Sequence, residues 1–347
     1  MPAISPVTVA VPGASRNASV TRFVLTLALL LRLGAIVSAA DAPAATNSDA
    51  TTVIIVVGAA GEEEFGKDFL QASDLWETAC KNAGAKYFVV GKDSETEPTD
   101  QQRLKTILEN EPKESANELW IVLLGHGTFD NREAKFNLRG PDLAADDFAK
   151  LLLPFSRPVA FLDCSASSSP FINKISKPGR VVLSATRSGA EINYARFGQY
   201  LSQGIASPDA DLDRDGQTSL LEGFLFASQR VTEFYQGQER LVTEHPLMDD
   251  NGDATGTPPD WFRGVRAVKK STTGAAADGP RAHQFHLVRS EKERKLSPET
   301  RRERDQLELS VVQLRDAKET MEEEAYYASL EALLLDLAHF YQRNEPK

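Results

Sequence analysis

The chain has 347 residues, enough for one sizeable core with an appendage, and its composition is ordinary for a soluble globular protein. The 39 basic and 50 acidic residues give a formal net charge of -11, which argues against a nucleic-acid-binding protein. The two cysteines, Cys80 and Cys164, do not make a disulfide framework. Cys80 falls in a helical pattern and is expected to be a small buried apolar residue.

The first forty residues have the pattern of a targeting segment. Arginines precede an apolar stretch from Phe23 to Val37, which gives way to small residues ending in Ala39 and Ala40. This order is typical of a secretory signal peptide spanning residues 1–40, with cleavage near its end. A membrane anchor is the alternative, but Arg32 interrupts a stretch that is already short for a bilayer. We therefore expect a periplasmic or extracellular protein that touches the membrane only if this segment is not cleaved.

Strand and helix patterns then alternate along the chain. A linker at residues 41–52 leads into a domain predicted for residues 53–268, whose continuous apolar runs are typical of buried parallel strands. The predicted strands are Val53–Val57, Tyr87–Val90, Leu119–Leu124, Pro158–Leu162 and Arg180–Ser184. Helices are predicted before Gly84, after a capping box formed by Thr99 and Gln102, over Leu143–Leu153 and over Glu191–Gly204. The alternation predicts an α/β fold with a mostly parallel sheet flanked by helices.

The C-terminal part has a different pattern. A change to Thr, Gly and Ala marks a second linker, predicted over residues 269–296. Beyond it, apolar residues recur every seven positions: Leu307, Leu314, Met321, Ala328 and Leu335. A heptad repeat predicts a coiled coil or a helical hairpin over residues 297–345, packed on the main domain or on another chain. Self-association through this segment is therefore expected.

Two of the apolar runs end in side chains that carry chemistry. Leu119–Leu124 leads into Gly125-His126-Gly127, and Pro158–Leu162 leads into Asp163-Cys164-Ser165. Because parallel strands end at the same edge of a sheet, we expect His126 and Cys164 to meet there. A thiol nucleophile and an imidazole base are enough to begin acyl transfer. In α/β-hydrolases the histidine follows the nucleophile late in the chain, so that fold is disfavoured here.

A His-Gly after one strand and a Cys after the next resembles the legumain-like and caspase-like cysteine peptidases. The resemblance covers roughly residues 53–204 and rests on Leu124-Gly-His-Gly127 and Phe161-Leu-Asp-Cys-Ser165. It implies a caspase-like three-layer sandwich with His126 as general base and acid and Cys164 as nucleophile. It also implies an oxyanion hole made by the backbone N–H groups of Gly127 and Cys164. A thiol near an imidazole can have its pKa lowered toward the thiolate form.

The surroundings of Cys164 depart from that family. Legumain-like enzymes commonly carry an acidic residue two positions before the cysteine and a glycine shortly after it. Here Asp163 is adjacent to the cysteine and a Ser-rich turn follows. A neighbouring carboxylate opposes thiolate formation unless it faces a substrate pocket or pairs with a cation such as Arg187. Asp163 and Arg187 are therefore the predicted substrate-binding residues.

Residues 211–222 match an EF-hand-type calcium loop. Aspartates occupy its first, third and fifth positions, Gly216 the sixth and a glutamate the twelfth. The predicted ligands are Asp211, Asp213, Asp215, Gln217 through its backbone carbonyl, and Glu222. No amphipathic helix leads into the loop, which favours a structural Ca²⁺ site over a sensor with paired EF-hands.

Together these patterns predict an exported, calcium-stabilised cysteine endopeptidase acting on a peptide or protein substrate. The alternative is a non-catalytic interaction protein of the same fold that binds partners through its helical tail. A second acidic run at residues 249–253 is interpreted either as a turn or as a weak cation site.

Overall fold

The structure, a computed structural model, describes residues 50–94, 97–270 and 276–344. The signal segment predicted for residues 1–40 lies outside these ranges, as does most of the linker predicted for residues 41–52. Within the described residues, no helix combines the length and the apolar character needed to cross a membrane.

The elements follow one another in the expected alternation up to about residue 237. The strands are β1 (Thr52–Val57), β2 (Lys86–Val90), β3 (Leu119–Leu124), β4 (Gly127–Phe129), β5 (Ala134–Phe136), β6 (Leu143–Ala144), β7 (Val159–Asp163), β8 (Arg180–Ser184), β9 (Leu247–Asp249), β10 (Phe262–Arg263) and β11 (Arg266–Ala267). The α-helices are α1 (Glu63–Ala83), α2 (Asp100–Asn110), α3 (Ala145–Leu152), α4 (Ser169–Ile175), α5 (Phe197–Gly204), α6 (Leu220–Gly237), α7 (Pro280–Gln284), α8 (Glu291–Lys295), α9 (Pro298–Ala317) and α10 (Glu323–Asn344). Short 3-10 turns lie at Pro208–Ala210, Pro259–Trp261 and Lys318–Thr320.

The central sheet has six strands in the order β2-β1-β3-β7-β8-β9. All neighbouring pairs are parallel except β8 with β9, which is antiparallel. The strands β1, β3 and β7 are buried along their whole length because helices cover both faces of the sheet. The mostly parallel α/β sheet predicted from the sequence is therefore confirmed. The antiparallel edge strand β9 is an addition that its short sequence of three residues did not reveal.

Helices on each face complete three layers. On one face α1, α5 and α6 bury residues such as Trp76, Leu201 and Phe224 against the sheet. On the other face α2, α3 and α4 form a second cluster around Phe148 and Phe171. Each such side chain contributes about 1.5–3 kcal/mol when it leaves water, so the two clusters are the main source of stability.

The capping chemistry predicted from the sequence fixes two of these helices. Thr99 and Gln102 form the capping box of α2, each side chain bonding to the other residue's backbone N–H. Gly84 ends α1 in the left-handed conformation, with φ +65°. The helix predicted over Glu191–Gly204 is shorter than expected, because only Phe197–Gly204 is helical. The preceding residues form the loop that holds Glu191 and Tyr194.

Part of the segment predicted as a linker, residues 276–296, packs on the main domain. Ala282, Phe285 and Leu287 are buried in the same cluster as Trp120, whose ring centroid lies 5.8 Å from that of Phe285. The residues are few and separated by polar ones, which gave the segment its polar, linker-like composition. The described part of this segment thus belongs to the body of the domain.

The acidic run at residues 249–253 helps to hold that segment. Asp250 accepts hydrogen bonds from the backbone N–H groups of Gly279 and Ala282 at 3.0 and 2.7 Å. Asp278 in turn accepts from the N–H groups of Asp250 and Asn251. The carboxylates of this run are therefore engaged by the chain's own N–H groups, which agrees with the interpretation of the run as a turn.

The last two helices form an antiparallel hairpin. Tyr341 near the end of α10 donates to Glu308 in α9 at 3.1 Å, and Arg343 pairs with Glu303 at 2.9 Å. The heptad positions do not form one continuous stripe, because Met321 lies between the helices and Leu335 is 51% exposed. Self-association through this hairpin remains a prediction.

Candidate active site

The strands β3 and β7 are neighbours in the parallel sheet, in register from Leu119 with Val159 to Leu123 with Asp163. His126 follows the end of β3, and Cys164 and Ser165 follow the end of β7. The sheet therefore brings both predicted strand ends to one edge.

The imidazole of His126 is held from two sides. Its Nε2 lies 3.1 Å from the carbonyl oxygen of Ala60, in the loop after β1. A carbonyl can only accept, so Nε2 carries the proton and the neutral ring keeps its lone pair on Nδ1. The rings of Phe65 and Phe69 in α1 contact the imidazole edge-on, with centroids 5.2 and 5.1 Å away. His126 is thus oriented as a base that accepts a proton at Nδ1.

The thiol of Cys164 does not share that environment. The residue is 3% exposed and belongs to the core cluster that also contains Leu124 and Leu162. Helix α5 covers it so closely that a Cβ on Gly198 would come within 2.5 Å of the Cys164 Cβ and 3.3 Å of its Sγ. The thiol has a single hydrogen-bond contact in the described structure, a long one of 3.9 Å to the Leu162 carbonyl. Within the described ranges no hydrogen bond joins Cys164 to His126.

Electrostatics also oppose ionisation of this thiol. Burial raises the pKa of Cys164 well above its ordinary value, and the negative charges of Asp163 and Glu244 raise it further. A nucleophilic cysteine requires the opposite shift, toward the thiolate. The backbone N–H of Cys164 is not available either, since it donates to the Leu123 carbonyl at 3.1 Å. The structure therefore does not support the predicted roles of Cys164 as nucleophile and oxyanion donor.

Ser165 occupies the place next to Gly127 that was expected for the cysteine. A Cβ built on Gly127 would come within 2.6 Å of the Ser165 Oγ and 2.2 Å of the Ala166 carbonyl oxygen. Gly127 is required here because only a residue without a side chain lets the two strand ends approach this closely. The predicted importance of Gly127 thus has a structural cause, and its neighbour across the strands is Ser165.

Asp163 organises the turn after β7. Its Oδ1 accepts hydrogen bonds from the Ser165 backbone N–H at 3.0 Å and from the Ser165 hydroxyl at 2.6 Å. Its Oδ2 is buried without a hydrogen-bond partner in the described structure. Burial raises the pKa of Asp163 to about 7, and the hydrogen bonds from Ser165 partly oppose the shift. The Ser165 hydroxyl is therefore engaged by a buried carboxyl group.

The predicted pairing of Asp163 with Arg187 does not occur. Asp163 is fully buried, whereas the Arg187 side chain is mostly exposed. Arg187 Nε lies 3.2 Å from Glu191 Oε1 in its own loop. Asp163 is the last residue of β7, and its side chain points into the interior. There its carboxylate accepts the hydrogen bonds from Ser165. A substrate-binding role for this pair has no support in the geometry.

A pocket of about 260 Å³, called here the pocket beside His126, is separated from the imidazole by two aromatic rings of its wall. Phe65 and Tyr194 line it and also contact the imidazole, with Tyr194 held by a 3.0 Å hydrogen bond to Asp68. Arg196 lines the same pocket, and its guanidinium packs over the rings of Tyr194 and Phe234 at 5.3 and 4.1 Å. In the described part of the chain Arg196 makes no ion pair. An aromatic pocket with this guanidinium in its wall suits an anionic group.

The candidate calcium loop brings three of its predicted ligands together. Carboxylate oxygens of Asp211, Asp213 and Asp215 lie within 4.8 Å of one another. Gly216 has φ +89°, which permits the sharp turn, and its N–H donates to Asp211 at 3.0 Å. Three carboxylates at this spacing repel one another, and a divalent cation would relieve that repulsion. These three residues fit the predicted cation.

Of the other two predicted ligands, Glu222 is engaged by hydrogen bonds within the loop, whereas Gln217 was predicted to bind through its backbone carbonyl. Glu222 is buried, with Oε1 accepting from the N–H groups of Leu212 and Asp213 and Oε2 accepting from the Ser219 N–H and hydroxyl. The side chain of Gln217 accepts from the Ser290 N–H at 3.0 Å. Glu222 thus completes the capping box of α6 with Ser219, and metal ligation by it would require some of these hydrogen bonds to open.

Several residues of the site were not singled out by sequence reasoning. Ala60 contributes only its backbone carbonyl, which no sequence pattern indicates. Phe65 is one of several apolar residues at helical spacing in α1, so nothing distinguishes it in the sequence. Tyr194 lies in a segment predicted as helix. Ser165 had a usable signal: Asp163 stands two positions before it, the spacing at which legumain-like enzymes carry an acidic residue before their cysteine.

Comparisons with known proteins give a similarity of fold. No family model and no curated protein matches the chain. The structure of the Drosophila initiator caspase Dronc is 14% identical, and the match covers 58% of this chain and 79% of that one at a TM-score of 0.40. Caspase-1 from Spodoptera frugiperda is 12% identical, with 59% and 88% covered and a TM-score of 0.37. Similarity at this level assigns neither a family nor an activity, and the α/β fold stands on the observed sheet and its two helical layers.

Proposed function

We propose that this chain is a caspase-like peptide-binding domain that does not form a covalent intermediate on Cys164. The observation that carries the proposal is the burial of the Cys164 thiol beneath Gly198 of α5, without a hydrogen bond to His126 in the described structure. The Ser165 hydroxyl is fully buried as well and donates to Asp163 rather than to His126. Neither side chain is placed to attack a carbonyl carbon.

The pocket beside His126 is the proposed binding site. Its aromatic wall, formed by Phe65 and Tyr194, suits an extended peptide that packs against rings. The guanidinium of Arg196 and that of the exposed Arg240 give the pocket a positive charge. We therefore propose a peptide with an acidic side chain, whose carboxylate pairs with Arg196.

Binding is tested with fluorescein-labelled tetrapeptides in which one position is fixed as Asp, Asn or Lys, measured by fluorescence anisotropy. The proposal predicts saturable binding of Asp peptides, at least about tenfold tighter than Asn peptides, because a charged hydrogen bond is lost with Asn. Arg196→Gln should remove this preference, and Arg266→Gln, an exposed arginine on β11, should keep it. Absence of saturable binding, or turnover of the peptides, contradicts the proposal.

A second candidate function is the cysteine endopeptidase predicted from the sequence. It is favoured by the adjacency of β3 and β7, which places His126 and Cys164 after neighbouring strands. It requires α5 to move away from Cys164 so that the thiol reaches solvent and the imidazole. A peptidyl electrophile that labels Cys164 stoichiometrically, with slower labelling in His126→Ala, would establish this function in place of the first.

We also propose that the loop at residues 211–222 binds a structural Ca²⁺ ion. The support is the convergence of the Asp211, Asp213 and Asp215 carboxylates around the turn at Gly216. When bound, the ion would offset most of the negative charge of the loop and fix it against α6. Export through the N-terminal segment likewise remains a prediction, tested by N-terminal sequencing of the protein secreted from its host.

A further inference from the structure

A second cavity, of about 320 Å³, lies at the other end of the sheet. Its wall includes Glu118, Pro158 and Gly179, which directly precede β3, β7 and β8, respectively. His126 follows the end of β3, so the cavity and the candidate active site are separated by the length of the strands. The opposite wall comes from α7, α9 and the chain between them.

The cavity is basic although the chain as a whole has a net charge of -11. Eight lysine and arginine side chains line it, against three acidic ones. The three acidic side chains are already paired within the protein. Glu118 binds Arg289 through both carboxylate oxygens, and Glu293 and Asp305 both pair with Arg304. The remaining positive charge of the wall is therefore not neutralised by these carboxylates.

Three cations of the wall have no partner among the residues that the structure describes. The side chains of Arg281, Arg302 and Lys177 make neither a hydrogen bond nor an ion pair there. Arg281 is the most significant of them because burial lowers its pKa, and the negative charges of Asp250 and Asp305 only partly oppose that shift. A desolvated charge of this kind is costly unless a counterion is supplied. An anionic ligand would therefore stabilise the positive side chains of this wall.

The same wall contains two buried acceptors without donors. His286, which is 7% exposed, has Nδ1 at 3.3 Å from the Gln284 carbonyl, so Nδ1 donates and Nε2 bears the lone pair. Gln284 donates through its amide nitrogen to the Asp305 carbonyl, which leaves Oε1 as acceptor. Both His286 Nε2 and Gln284 Oε1 lack a partner in the described structure. Such buried acceptors are satisfied by hydroxyl groups or water.

From these features we infer that the cavity binds a small phosphate monoester that also carries hydroxyl groups, such as a sugar phosphate. The phosphoryl group pairs with Arg281 and with the cations at the mouth, Arg302 and Lys177. The hydroxyl groups donate to His286 Nε2 and Gln284 Oε1, two atoms that must turn toward the cavity because neither is accessible in this structure. An unphosphorylated sugar lacks the charge, and sulfate lacks the donors. This site is independent of the proposed peptide-binding function, because it shares no residue with the pocket beside His126.

Isothermal titration calorimetry of the full chain tests the site with glucose 6-phosphate, glucose, inorganic phosphate and sulfate as probes. The expected result is saturable binding of glucose 6-phosphate that is at least about tenfold tighter than that of sulfate, and no binding of glucose. Arg281→Gln and Arg302→Gln should each weaken glucose 6-phosphate about tenfold or more. Arg302 is exposed, so its variant folds even if the Arg281 variant does not.

Two further variants make the test specific. Arg263→Gln on β10 removes a charge of the same kind outside the cavity and should leave binding unchanged. His286→Phe removes the acceptor while keeping a ring, and should reduce the preference for glucose 6-phosphate over sulfate. No saturable binding of glucose 6-phosphate, equal binding of sulfate, or full binding by both Arg281→Gln and Arg302→Gln would overturn the inference.

Discussion

The hydroxyl oxygen of Ser165 lies against the α-carbon of Gly127, where a Cβ would come within 2.6 Å of it. This contact joins the ends of β3 and β7, the two strands that carry the candidate active site. It places a serine where the sequence led us to expect the thiol of Cys164. The thiol itself is one residue earlier and, because side chains alternate along a strand, on the side of the sheet covered by α5.

Gly127→Ala should destabilise the protein by about 1–3 kcal/mol, because its methyl group would overlap the Ala166 carbonyl oxygen and the Ser165 hydroxyl. Urea denaturation measures the change. The matched control is Gly237→Ala at the end of α6, where a Cβ meets no atom within 4 Å. An effect of Gly127→Ala no larger than that of the control would show that the strand ends are not in contact.

Gly198→Ala should also be destabilising, and for a reason that involves Cys164 directly. The new Cβ would lie 2.5 Å from the Cys164 Cβ, so the double variant Gly198→Ala/Cys164→Gly should recover part of the loss. A coupling free energy of at least about 1 kcal/mol between the two sites is expected from unfolding measurements. Gly237→Ala combined with Cys164→Gly should instead be additive. Strict additivity at Gly198 would mean that Cys164 lies elsewhere.

Asp163 predicts a specific pH dependence of stability. Its pKa is raised from the model-compound value of 3.8 to about 7 by burial, so the folded state holds the proton more tightly than the unfolded state. Its contribution is therefore fully present below about pH 4 and is lost as the pH rises toward 7, by at most about 4 kcal/mol. In Asp163→Asn this loss should disappear, whereas Asp209→Asn, at an exposed turn, should retain it. The free energy of unfolding is measured at pH 5 and at pH 7.5 for each protein. If it falls by the same amount in Asp163→Asn as in the parent protein, the burial of a protonated carboxyl group is contradicted.

Removal of calcium should lower the thermal midpoint, because the clustered carboxylates of the 211–222 loop would repel one another without a cation. Differential scanning fluorimetry with Ca²⁺ and with chelator measures the shift. Asp213→Ala should abolish it, and Asp209→Ala, just outside the loop, should not. Equal melting of the parent protein in both conditions would reject the site.

The central sheet could be predicted from the sequence because the patterns that indicate its strands are strong and local. The runs at β1, β3, β7 and β8 are continuous and apolar, and a Gly or a capping box marks the ends of α1 and α2. Gly127 and His126 were located for the same reason, since they follow such a run directly. The antiparallel strand β9 has three residues and no comparable signal.

The details of the site depend on side-chain direction, which the sequence did not fix. If β7 ended one residue earlier or later, its side chains would point to the opposite face of the sheet, and Cys164 rather than Ser165 would face Gly127. The packing of Gly198 on Cys164 joins residues on different elements and leaves no local pattern. The same holds for the segment at residues 276–296, whose three buried apolar side chains are separated by polar ones.

The reactivity of the Cys164 thiol in the folded protein tests the central claim most directly. Alkylation by iodoacetamide and by a peptidyl acyloxymethyl ketone is followed by peptide mapping, which separates Cys164 from Cys80. We predict that Cys164 reacts at least about 100-fold more slowly in the native protein than in denaturant, because burial keeps the thiol protonated and inaccessible, and that His126→Ala leaves the rate unchanged. Rapid, stoichiometric labelling of Cys164 by the peptidyl reagent, slowed by His126→Ala, would contradict this account.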